Sequence, residues 1–146
     1  MAVVVGERVY LRPIERTDID RGWLKWINDH RITQFLEGSF PVNRESLEQY
    51  YEDSQPPDAF MFAICLKEDD TYIGNARLSS VNWLHRRCTY GRLIGEADYR
   101  TRGYGSEALI LLLRYGFHHL GMNRIFSSAY ADNEASLASN KKVGFR

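Results

Sequence analysis

The residues best placed to do chemistry are Arg100, Thr101, Arg102, Gly103, Tyr104, Gly105 and Ser106. They follow a strand-like run, Thr89-Tyr90-Gly91-Arg92-Leu93-Ile94-Gly95, and a polar connection from Glu96 to Tyr99. An apolar run from Ala108 to Leu113, opened by Glu107 and too long for a strand, comes next. Strand, glycine loop, helix is an order suited to anions. Two glycines set two apart allow a tight turn and expose consecutive N–H groups, and the helix adds its unpaired first-turn donors and positive dipole end. Such a loop cradles a phosphate or pyrophosphate. Arg100 and Arg102 place two cations beside it.

Spacing separates the ligand families that use such loops. Gly103-x-Gly105-x-x-Ala108 fits the formal dinucleotide fingerprint, but that motif follows directly on a strand and needs an acidic residue about 20 positions on. Here four polar residues intervene, and Asn123 to Ser128 contains no acid. A P-loop would require Gly-Lys-Ser/Thr, which is absent. The remaining pattern, Arg-x-x-Gly-x-Gly from Arg100 to Gly105, resembles the pyrophosphate-binding signature of the GNAT superfamily of N-acetyltransferases. Two further blocks are similar to the same family. Asn133-Glu134-Ala135-Ser136 followed by Lys142-Val143-Gly144-Phe145 looks like its last helix, and Leu11-Arg12-Pro13-Ile14-Glu15 with Asp18 and Trp26-Ile27-Asn28-Asp29 resembles the opening of its ribosomal-protein and amino-sugar acetyltransferase branch.

The resemblance implies an α/β (α+β) fold, a mixed and mostly antiparallel central sheet flanked by about four helices. It implies acetyl-coenzyme A as co-substrate, no metal, and a coenzyme site formed by Leu93, Ile94, Arg100, Thr101, Arg102, Gly103, Tyr104, Gly105, Ser106, Asn133 and Ser136. The strand before the loop is expected to splay from its neighbour and bind the pantetheine arm and thioester carbonyl through backbone groups, Gly91 and Gly95 among them. Two positions depart from the family. Thr89 stands where many members carry a glutamate base, and Asn140 stands where many carry a tyrosine acid. Asn140 can donate a hydrogen bond to the sulfur, and Tyr90, Glu96 or a relayed water can assist; the sequence does not select among these.

That departure bears on the acceptor. A lysine amine, with pKa near 10.4, is free base in under ~0.1% of molecules at neutral pH, whereas an α-amine near 7.7 to 8.0 is free in roughly a tenth or more. Without a built-in base the low-pKa amine is the easier acceptor, which favours an amino sugar or a protein N-terminus over a lysine side chain. A non-catalytic acyl-coenzyme A binding module, or a fragment of an acetyltransferase, is the alternative. A nucleotide-cofactor oxidoreductase is a remoter third reading.

The elements that must position these residues are legible in outline. Arg8 to Leu11 reads as a strand ended by Pro13, and Asp18 as the N-cap of a helix reaching about Asn28, with Trp23, Leu24 and Ile27 on one face. Pro41 and Asn43 announce a helix from Arg44 to about Asp53, with Leu47, Tyr50 and Tyr51 inward. Phe60 to Lys67 and Thr71 to Ser79 read as strands; in the second, Ile73, Asn75, Arg77 and Ser79 share one face, expected to be solvated, with lining of the acceptor site as the alternative. Trp26 or Tyr51 is a candidate substrate contact, and His85 reads as an exposed loop histidine, with a role as base the alternative. A helix from Ser106 to Leu120, capped by Gly121, and a strand from Asn123 to Tyr130 follow.

Length and composition fit one domain over residues 1–146, with 44% apolar and 13% aromatic residues. Nineteen basic residues balance nineteen acidic ones, which argues against nucleic acid or an anionic membrane as partner. Cys65 and Cys88 lie in apolar runs without metal spacing and read as buried thiols in a cytoplasmic protein. The chain stops just after Gly144-Phe145, where the resembled family continues into further strands. A fragment, or self-association through the C-terminal sheet edge as a homodimer, is the expectation.

Overall fold

The computed structural model of the chain describes residues 2–33, 41–100 and 102–126. Its architecture follows from a strand buried on both faces. Phe62, Ile64 and Leu66 point to one side and Met61, Ala63 and Cys65 to the other, so the sheet must be covered twice. Among the described residues the sheet has six strands, β1 (Val4–Val5), β2 (Val9–Pro13), β3 (Phe60–Leu66), β4 (Tyr72–Asn82), β5 (Arg87–Ile94) and β6 (Arg124–Phe126), lying side by side in that order. All pairings are antiparallel except β5 with β6, which run parallel through Arg87↔Arg124, Cys88↔Ile125 and Thr89↔Phe126. The parallel pair needs a long crossover, supplied by the segment that contains the glycine loop and its helix.

Four α-helices are described: α1 (Trp23–Ile27), α2 (His30–Thr33), α3 (Arg44–Asp53) and α4 (Tyr104–Arg114). Ala108, Leu111 and Leu112 of α4 pack on Val9, Leu11, Ile64 and Leu78. On the opposite face Trp23 and Leu47, from α1 and α3, pack with Ile14 and Ile19 over Met61, Ala63 and Cys65. Helix α3 begins as the sequence predicts, with the Asn43 side chain accepting from the Ser46 amide at 2.7 Å. Helix α4 runs on into a π-helical turn, Tyr115–His119, and Gly121 ends it with φ +74°.

Several expectations change. Asp18 does not cap a helix to Asn28; it lies fully buried inside a 3-10 turn, Arg16–Ile19, where it accepts from the Glu15 amide at 2.8 Å and from both terminal nitrogens of Arg12 at 2.8 Å. The arginine from β2 claims the carboxylate, and α1 starts only after Gly22. Ile73 leaves the polar row because Ile64 pairs with Gly74 while Cys65 pairs with Tyr72, a bulge that turns Ile73 to the α4 side. Asn75, Arg77 and Ser79 stay on the α1–α3 face, but Asn75 is buried beneath it rather than solvated. Tyr50 points less inward than its spacing implies, at 37% exposure, while Leu47 fills the core.

Candidate active site

Gly103 sits at the N-cap of α4 with φ +84°, ψ 0°, the left-handed region that a side chain resists. The turn it makes aims the first N–H groups of α4 away from the helix body, where no intrahelical acceptor exists. Gly105 follows in the first turn. A carbon added there would meet Ile94 Cγ1 at 3.5 Å, an ordinary contact, so the bare backbone at Gly105 is not required by packing.

Two arginines hold this turn in place. Arg8 Nη1 donates to the Arg102 carbonyl at 2.9 Å, its Nε donates to Glu107 Oε1 at 3.0 Å, and its guanidinium carbon lies 4.7 Å from the centre of the Tyr104 ring. Glu107 in turn accepts from the amides of Arg8 and Val9 at 2.7 and 2.9 Å, tying α4 to the start of β2. Burial pushes the Glu107 carboxyl up, but these hydrogen bonds and the Arg8 charge outweigh it and hold the group below its ordinary range. From beneath, Arg92 Nη1 donates to the Gly105 carbonyl at 2.9 Å. Burial lowers the pKa of that guanidinium, against which Tyr90 acts in the opposite direction. A half-buried cation beneath the loop is screened less than an exposed one.

The predicted coenzyme residues divide accordingly. Ile94, Arg102, Gly103, Tyr104, Gly105 and Ser106 come together at the end of β5 and the first turn of α4, with Leu93 one step back on the strand and paired with Asn75. The Arg102 side chain is exposed, and its carbonyl is what the structure ties down. Arg100 donates from Nη1 to the Arg31 carbonyl on α2, at 3.4 Å. Thr101, Asn133, Ser136 and Asn140 lie outside the described residues. Arg8 and Arg92 were missed by sequence reasoning. Arg92 could have been flagged as a charge flanked by Gly91, Leu93 and Ile94, whereas Arg8 carries no local signal at all.

Tyr90 is half-buried and packs against the α4-side core, on the opposite face of β5 from Thr89 and Gly91. Thr89 Oγ1 lies 3.1 Å from Ser79 Oγ, consistent with a hydroxyl pair rather than a base. Glu96 borders an open cavity of about 620 Å³ with Arg21, Lys25 and Asn28, and accepts from Trp26 Nε1 at 2.9 Å. Trp26 is 2% exposed and is part of the core, tied to the cavity's edge only through its hydrogen bond to Glu96. Tyr51 lies under the Arg16 guanidinium, its ring centre 5.4 Å away. His85 is exposed in the β4–β5 turn, remote from the loop. Among the described residues no cluster of three or more His, Cys, Asp or Glu could hold a metal, and no helix is long and apolar enough to cross a membrane.

Residues 8–146 match the family model of the acetyltransferase (GNAT) domain. The chain is 26% identical to the uncharacterized N-acetyltransferase p20 of Bacillus licheniformis, an alignment covering all of this chain and 83% of that protein. Its fold is similar to that of spermidine N-acetyltransferase from Vibrio cholerae in complex with CoA and spermine, at TM-score 0.83 and 20% identity over 93% of this chain and 79% of that one. It is also similar to RimL, a ribosomal L7/L12 alpha-N-protein acetyltransferase in complex with coenzyme A, at TM-score 0.85 and 15% identity over 99% and 83% of the two chains. With a left-handed glycine opening α4 beside a sheet of this order, the chain belongs to the GNAT family and is an acetyl-CoA-dependent N-acetyltransferase.

Proposed function

We propose that the protein transfers the acetyl group of acetyl-CoA to a low-pKa primary amine, an amino sugar or a protein N-terminal amine in preference to a lysine side chain, acting as one cytoplasmic domain. The observation that carries this reading is the anion cradle at Gly103 and Gly105, backed by Arg92. The coenzyme pyrophosphate lies on the first turn of α4, with Leu93, Ile94, Arg100 to Ser106, Asn133 and Ser136 around it. Its arm runs back along β5 towards Thr89. Backbone N–H groups polarise the thioester carbonyl, and orientation of donor against acceptor supplies up to ~7 to 11 kcal/mol of the barrier in favourable cases.

Acid and base roles follow from the faces of β5. Tyr90, on the coenzyme side, and Asn140 donate towards the departing sulfur. The acceptor side offers hydroxyls at Thr89 and Ser79 but no carboxylate at that position. Glu96 lies five residues from Gly91, about 16 Å along a strand at ~3.3 Å per residue, and reaches the reacting amine only through water. An amine that is already partly free base is therefore favoured. Thiol release from acetyl-CoA, followed with glucosamine, a seryl peptide, spermidine and an N-blocked lysine peptide, tests this. Faster turnover of the first two than of the lysine peptide is expected. Tight coenzyme binding with no thiol release from any amine would instead support a non-catalytic acyl-CoA binding module.

A further inference from the structure

On the face covered by α1 and α3, arginines are matched with carboxylates: Arg12 and Arg21 with Asp18, Arg16 with Glu52, Arg31 with Asp29, Arg44 with Asp20. Arg77 on β4 breaks this pattern. It is half-buried, it donates to the Tyr50 hydroxyl, its guanidinium carbon lies 5.8 Å from the centre of the Tyr50 ring, and among the described residues it has no ion pair. Tyr50 is itself braced by the buried Trp23, edge-on with ring centres 6.1 Å apart. The guanidinium is thus held in place without a counter-charge.

Its position gives that cation a use. Arg77 pairs across the sheet with Gly91, and a carbon added at Gly91 would fall 3.0 Å from Arg77 Nε, so the guanidinium occupies the space over the middle of β5. A coenzyme arm entering at Gly105 and Ile94 meets Gly91 after three residues, about 10 Å at ~3.3 Å per residue. Just beyond, β5 is joined to β6 at Arg87–Thr89. The thioester end therefore stops near Gly91, and the amine approaches from the face that Arg77 and Tyr50 guard.

Resting on the acetyl-transfer reading above, we infer that Arg77 determines acceptor specificity and that the acceptor carries an anionic group, phosphate or carboxylate, beside the amine it offers. A planar guanidinium that lacks a carboxylate matches such a group in a bidentate pair. A polycationic acceptor meets repulsion at the same point.

The test compares kcat/KM for glucosamine 6-phosphate against glucosamine, for a Ser-Glu-Glu amide against a Ser-Gln-Gln amide, and for spermidine. Each pair offers the same kind of amine with and without negative charge, so phosphate and carboxylate are read separately. At least one anionic member exceeds its neutral twin by roughly tenfold to a hundredfold, the span of one charge-assisted pair. Arg77→Gln abolishes that preference while neutral acceptors stay within about twofold and coenzyme affinity is unchanged; Arg77→Lys restores part of it. Equal rates for the twins, spermidine as the fastest acceptor, or equal loss of every acceptor in Arg77→Gln overturns the assignment and leaves acetyl transfer standing. If no amine releases thiol, calorimetry of the anionic members on the coenzyme A complex decides. No binding there overturns the role of Arg77, whereas no binding of coenzyme A overturns the reading beneath it.

Discussion

A carbon added at Gly95 would collide with Trp26 Cδ2, inside the indole ring whose Nε1 donates to Glu96. Trp26 is wedged between that glycine and Tyr72, whose ring centre is 4.8 Å away, so it has no room to yield. Gly95→Ala is therefore expected to destabilise the fold by about 1 to 3 kcal/mol, as overpacking does, read as a lowered midpoint in denaturant. A second expectation concerns the thiols. Cys65 and Cys88 are fully buried, and burial pushes both up, Cys88 to about 11. At pH 8 both should resist a thiol reagent in the native protein and react on unfolding; rapid native labelling of either would contradict the packing around it. Residue types alone made Gly103, Gly105 and the two buried cysteines legible. Arg8 and Arg92 were not, because Arg8 acts on Glu107 across 99 positions and Arg92 acts upward from a strand onto the next helix.

Among the elements, the polar tie between β2 and α4 rests on one carboxylate, Glu107. The folded pKa of Glu107 is lowered, so its contribution to stability is present above the unfolded value of about 4.3 and is lost as pH falls through the folded value. Glu107→Gln should cost about 1 to 2 kcal/mol at pH 7 and flatten the acid limb of stability below about pH 4.3, measured by denaturant unfolding across pH. An unchanged acid limb would mean that other carboxylates govern it. Helix α3 and strands β2 to β5 were readable from period and capping, since each carries its own pattern. The bulge at Ile73 and the 3-10 turn at Asp18 were not, because both are set by partners on other strands: Cys65 and Ile64 for the first, Arg12 for the second. Strand β1 is a two-residue element defined only by its pairing with β2, and nothing local announces it.

In the whole molecule, one parallel join and one glycine turn make the proposed coenzyme site. That the sheet is mixed and mostly antiparallel was legible through family resemblance rather than periodicity, which cannot tell a parallel partner from an antiparallel one. The blocks around Asn133 and Asn140, and the C-terminal sheet edge expected to mediate a homodimer, lie outside the described residues. The most direct measurement is a calorimetric titration of coenzyme A into the native protein and Gly105→Ala. An alanine there meets only ordinary contacts, at 3.5 Å from Ile94 and 4.0 Å from Arg92, so folding should be retained or slightly improved. The added methyl nevertheless stands where the pyrophosphate must approach, and affinity should fall by roughly tenfold or more, the cost of losing one or two backbone hydrogen bonds to an anion. A Gly105→Ala variant of native stability that binds coenzyme A as tightly as the native chain would contradict the account.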